Sequence, residues 1–141
     1  MRNLIATVLL LFATSALAGN NAGFEMGGNY SRFDPVVSQY NASGELFRIE
    51  GHCQSSCTLF LGARHSCVSP GAVFGFHAPW TGTPQGGYID PRMTAVFARA
   101  YKPALRRLFI AHVRATAHMT PGPLMRLSGM QLASLGYRLC G

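Results

Sequence analysis

The chain has 141 residues, 48% hydrophobic and 12% charged, with a formal net charge of +7. That length fits one domain of the usual roughly 100–200 residues and excludes two large ones. So apolar a composition excludes a disordered charged tail, and the 16 Gly and 8 Pro, in no strict period, exclude collagen-like and low-complexity classes.

Residues 1–18 read as a secretory leader. Arg2 supplies the positive start, residues 4–13 the short apolar core, and Ala16-Leu17-Ala18 the small-x-small cleavage site before Gly19. The apolar run is shorter than the roughly 20 residues of a membrane-spanning helix, and no second span follows. The alternative is an uncleaved N-terminal anchor. Residues 19–141 are then a single exported domain, periplasmic or secreted. Its basic residues are scattered from Arg32 to Arg138, with only Arg106 and Arg107 adjacent. That reads as a solvated basic surface, with no nucleic-acid partner expected.

Residues 19–24 read as loop, and residues 25–29 as a first short strand ending in the Gly27-Gly28 turn. Phe33, Val36, Val37 and Tyr40 recur at helical spacing, with Asp34-Pro35 as a start signal. Residues 45–51 are a short strand, and residues 55–63 a buried helix directly after it. A strand starts at Cys67-Val68, and residues 72–77 form an apolar strand ending in His77. Residues 78–89 are turn chemistry and read as an exposed loop. Asp90-Pro91 opens a helix whose stripe runs from Met93 to Val113, with a break at Pro103. After a second break at residues 120–123, residues 124–127 and 130–135 read as helical pieces, and residues 137–140 as a closing strand. Strands alternating with helices predict an α/β fold with a short, mostly parallel sheet, flanking helices and a helical C-terminal part. Ligand sites in such sheets lie at the carboxyl ends of strands, where Gly28, Ser55 and His77 are expected.

Gly51-His52-Cys53-Gln54-Ser55-Ser56-Cys57 joins a strand to a helix by a tight turn. A serine there projects its hydroxyl outward, and the next backbone N–H can donate to an oxyanion. The residues two before and two after such a serine nearly touch. Here they are Cys53 and Cys57, and close approach is what a disulfide requires. We therefore expect Cys53–Cys57 as a clamp across the elbow, with Cys67–Cys140 as the remaining pair. Four cysteines allow three connectivities. A metal site is the rival reading, because His52, His65 and His77 lie near three of the cysteines. No C-x2-C pair is present, and exported thiolates oxidise, so no metal is expected. Simple helix capping is the competing role for Ser55 and Ser56, and core packing for His77.

Together the Gly27-Gly28 turn, the string from Gly51 to Thr58, Cys67-Val68, Phe74-Gly75-Phe76-His77-Ala78 and the tail from Leu127 to Tyr137 resemble the ClpP/crotonase superfamily. The resemblance spans about residues 24–140 and is closest to short exported bacterial proteins of that fold. It implies Ser55 as nucleophile, His77 as general base, and the N–H groups of Ser56 and Gly28 as the oxyanion hole. A peptide or other acyl compound is the implied substrate; no nucleotide motif is visible in the sequence, so no nucleotide site and no cofactor are expected. Homo-oligomerisation through the C-terminal helices is also implied. One departure stands out: the family's triad carboxylate is missing. Residues 120–122 are Thr-Pro-Gly, and no acid follows Asp90. Loss of that acid commonly costs about 10⁴ in rate. Two functions follow as expectations: a Ser-His dyad hydrolase, foremost a peptidase, or a catalytically inactive binding or assembly module of the same fold.

Overall fold

The computed structural model describes residues 19–83, 85–119 and 121–141. The leader assigned to residues 1–18 lies outside them, as do Pro84 and Thr120. The strands are β1 (Gly19–Asn20), β2 (Phe47–Ile49), β3 (His52–Gln54), β4 (Ser66–Val68), β5 (Val73–Phe76), β6 (Trp80–Thr83), β7 (Gly86–Ile89) and β8 (Met125–Ser128). The α-helices are α1 (Asp34–Ser43), α2 (Pro91–Ala100), α3 (Pro103–Ala115) and α4 (Gly129–Ser134). Two 3-10 helices cover Tyr30–Arg32 and Ser55–Gly62.

The architecture is mixed α/β. One parallel sheet has the order β1-β2-β4; a second, β3-β5-β8, is parallel between β3 and β5 and antiparallel between β5 and β8. β2 and β3 are one run of chain bent at Glu50-Gly51, with Gly51 at φ +61°, where glycine carries no Cβ penalty. A bend interrupts the ladder and strands buried backbone groups. Asn21 repairs it. This fully buried side chain donates from Nδ2 to the carbonyls of Glu50 (3.1 Å) and His52 (3.0 Å) and accepts from the Glu50 N–H (2.8 Å). The partner run bends in step, with Ser69 N–H on the Ile49 carbonyl and Val73 N–H on the Gly51 carbonyl. Beyond the bend, Cys53 pairs with Phe74 and Gln54 with Gly75. Ser55 and His77 therefore sit just past the carboxyl ends of adjacent parallel strands.

Two aromatic groups fill the core. Phe33, Phe47 and Phe60 are fully buried under α1, with centroids 5.3 Å apart for Phe33–Phe60 and 4.5 Å for Phe47–Phe60. Tyr101 lies edge-on to Phe76 and Phe109 beneath α2 and α3. The periodic stripes of these helices supply the inward positions, and Pro103 starts α3 at the break between them.

Five local expectations change. The first strand is Gly19–Asn20, because residues 25–29 form turns in which only the Glu25 carbonyl meets β3, accepting from Gln54 N–H. The helix expected over residues 55–63 is the 3-10 helix Ser55–Gly62, whose residues 56–61 are all buried, so no amphipathic stripe marks its pitch. Within the expected loop, Trp80–Thr83 and Gly86–Ile89 pair as the exposed strands β6 and β7. Residues 125–128 are strand, not helix: the open edge of β5 takes Leu127 opposite Phe74 and Met125 opposite Phe76, and that pairing overrides local propensity. The closing strand shrinks to one bridge, Val68 to Leu139, beside the Cys67–Cys140 disulfide.

All four cysteines are paired, as Cys53–Cys57 and Cys67–Cys140. No helix among the described residues is long and apolar enough to cross a membrane. The two disulfides differ in the loop they close, by 4 and 73 residues. Loop-closure entropy then gives about 2 kcal/mol for the short pair and about 4 kcal/mol for the long one. Urea unfolding is expected to show the larger loss for Cys67→Ala with Cys140→Ala. Asn21→Leu, which leaves the bend's backbone groups unpaired, is expected to cost about 2–3 kcal/mol in the same assay.

Candidate active site

Ser55 is the one non-glycine among the described residues with positive φ, at +56°. A left-handed L-residue costs about 1–2 kcal/mol and persists only where its surroundings hold it. Cys53 and Cys57 flank it in a buried disulfide with Cα atoms 5.2 Å apart. Thr58 Oγ1 donates to the Ser55 carbonyl at 2.7 Å. The Thr58 hydroxyl has one proton, so at the 2.6 Å contact with Tyr101 the phenol must donate to Thr58 Oγ1. Both side chains are buried, and burial pushes the Tyr101 phenol well above its ordinary value of 10.0. The elbow backbone thus rests on a protonated tyrosine through a threonine.

His77 Nε2 lies 2.8 Å from Ser55 Oγ. Its Nδ1 lies 2.8 Å from the Ala78 carbonyl, which can only accept. In the neutral imidazole Nδ1 therefore carries the proton, and the Nε2 lone pair faces the serine hydroxyl. That is the tautomer a general base needs. In a triad the carboxylate sets this tautomer; here a neighbouring main-chain carbonyl occupies that position. Asp90, the acid nearest in sequence, is engaged elsewhere. Its Oδ1 caps α2 through the N–H groups of Arg92 (2.8 Å) and Met93 (3.1 Å), and Oδ2 accepts from Thr81 (3.5 Å).

The Gly27-Gly28 turn packs directly on the elbow. Gly27 has φ +75°, and a Cβ there would lie 2.7 Å from Ser55 Cβ and 2.9 Å from Ser56 N, so no larger residue fits. Ser56 Oγ donates to the Gly28 carbonyl at 2.6 Å, tying turn to elbow. The Gly28 N–H has no acceptor among the described residues. The Ser56 N–H belongs to the first turn of its helix, where no intrahelical acceptor exists. Gly28, Ser55, Ser56 and His77 line one cleft of about 820 Å³. Pro79, Trp80, Met93, Val96 and Phe97 form its apolar side, and Arg92 stands at its rim.

The other histidines serve elsewhere: His52 bonds Gln54, His65 the Gly44 carbonyl, and His112 the Pro123 carbonyl, while His118 is exposed. Sequence reasoning brought Ser55, His77, Gly28 and Ser56 to one cleft. It missed Asn21, Thr58, Tyr101 and the Ala78 carbonyl. Thr58, three residues after a serine at a helix start, was the available hint. No family model, curated protein or solved structure matches the chain.

Gly27→Ala is expected to unseat the elbow: a loss of about 2–3 kcal/mol in thermal or urea unfolding, with Ser55 no longer held against His77. Tyr101 yields a pH prediction. A raised folded pKa means the native state keeps a proton that the unfolded state loses above about pH 10, so stability falls as pH rises through that value. The melting temperature should drop steeply above pH 10, and Tyr101→Phe should flatten that slope while lowering stability at pH 7.

Proposed function

We propose that this chain is an exported serine hydrolase of ClpP-like type, working through a Ser55–His77 dyad. One observation carries the reading: the 2.8 Å contact between Ser55 Oγ on a left-handed elbow and Nε2 of His77. Capping or core packing requires neither the backbone conformation nor the tautomer. The fold reading draws support from the parallel β3–β5 pair, the bent double sheet and the glycine turn on the elbow. Export draws support from two disulfides, which persist in oxidising compartments.

Ser55 Oγ attacks the acyl carbon and passes its proton to His77 Nε2. The oxyanion takes hydrogen bonds from Gly28 and Ser56 N–H. Imidazolium then protonates the leaving group as its bond to the acyl carbon breaks. Water adds to the acyl-serine, giving its proton to His77, and the acid leaves as Ser55 Oγ recovers that proton. The Ala78 carbonyl orients the ring but brings no negative charge to offset the imidazolium. A dyad so supported is slower than a triad, by up to about 10⁴. The same neutral carbonyl supports a second reading, an inactive binding or assembly module that retains the elbow as architecture.

A fluorophosphonate probe on the oxidised protein separates the two. The hydrolase reading expects wild-type labelling, loss in Ser55→Ala and His77→Ala, and slowed but persistent labelling in Ser56→Ala, which loosens the Gly28 tether. An unlabelled, folded wild type would favour the binding module.

A further inference from the structure

We infer that the acyl group this site accepts is an unbranched alkyl chain of about ten to twelve carbons, an inference that rests on the hydrolase reading. A side pocket of about 240 Å³ adjoins the cleft, with Tyr30 and Val96 lining both. Three elements advance together away from the nucleophile. Tyr30 and Val37 form one wall, Leu59 and Gly62 the floor, and Val96 and Ala100 the other wall. At Gly62 the floor meets α2 closely, since a Cβ there would lie 3.1 Å from Ala100 Cβ; this contact bounds the groove. From Ser55 to Gly62 is seven residues of 3-10 helix, or about 14 Å at roughly 2.0 Å each. An extended alkyl chain advances about 1.25 Å per C–C bond of about 1.5 Å, so roughly ten to twelve carbons span it.

The groove's backbone chemistry decides between an alkyl chain and a peptide. Beyond Tyr30 of the first 3-10 helix, its walls are α1, α2 and the 3-10 helix Ser55–Gly62, whose interior N–H and C=O groups are used within their own helices. An extended peptide there would bury its amides without partners, at about 1–3 kcal/mol each. A methylene chain has no such groups and gains by burial. The charged residues on the pocket, Asp34 and Arg99, are both exposed, which leaves the floor apolar.

The test is hydrolysis of p-nitrophenyl acetate, decanoate and hexadecanoate below their aggregation limits, each rate divided by that with hydroxide alone. A peptide p-nitroanilide runs beside them. The expected result is a kcat/KM at least tenfold higher for decanoate than acetate, with no further gain at hexadecanoate, where the chain outruns the groove. Val37→Phe, checked for folding by circular dichroism, should lower the decanoate-to-acetate ratio at least fivefold; Val37→Leu should restore most of it. Equal ester rates, or a preference for the anilide, would overturn the alkyl assignment and leave the hydrolase standing. If neither ester nor fluorophosphonate reacts, the hydrolase reading fails. Calorimetry with decanoate then decides the groove alone: saturable binding weakened by Val37→Phe retains it, and no binding overturns it.

Discussion

The left-handed backbone of Ser55 is the constraint around which the rest is arranged. An L-residue does not rest there unaided. Covalent, steric and hydrogen-bonding restraints converge on it from separate parts of the chain. The Cys53–Cys57 bridge shortens the path across the elbow, Gly27 fills the space beside it, and Thr58 with Tyr101 holds its carbonyl from below. Each acts on the main chain and leaves the serine hydroxyl free for His77. The strain is thus borne by buried structure and its outcome is displayed at the surface of a cleft.

The bend between β2 and β3 matters for a related reason. A sheet that simply continued would carry Ser55 along the ladder with its neighbours. Bending at Gly51 gives β3 and β5 their own short sheet, and both strands end at the cleft. The bend is tenable because Asn21 replaces three missing ladder contacts with one side chain. The Ala78 carbonyl against His77 Nδ1 follows the same economy: the ring is oriented by a main-chain group already present.

Periodicity and turn chemistry made α1, α2, α3 and the strands around residues 47–49 and 73–76 legible, because each has a buried face set by local spacing. The elbow, too, was legible, since cysteines two before and two after a serine imply close approach. Other parts depend on distant partners. β8 is a strand because β5 has an open edge, and Met125 and Leu127 carry no alternation strong enough to say so. The 3-10 helix is apolar all round, so its pitch leaves no pattern. Asn21, 29 residues before Glu50, and Tyr101, 43 residues after Thr58, are set by tertiary hydrogen bonds that no local window contains. The Ala78 carbonyl is invisible in principle, because every residue offers one.

The two disulfides also impose an order in time. Cys53 and Cys57 are four residues apart and can meet as soon as that stretch is exposed to oxidant, before any sheet exists. Cys67 must wait for Cys140, 73 residues later, and the Val68–Leu139 bridge waits with it. As the chain emerges from its N-terminus onward, the elbow can therefore be locked while the body that surrounds it is still arriving. A wrong early partner for Cys67 is close at hand in Cys57 or Cys53. The short bridge, once made, withdraws both from competition and leaves the long one a single choice. On this view the C-x-S-x-C string is a kinetic safeguard as well as a clamp: it secures the pairing of the whole chain by closing its smallest ring first.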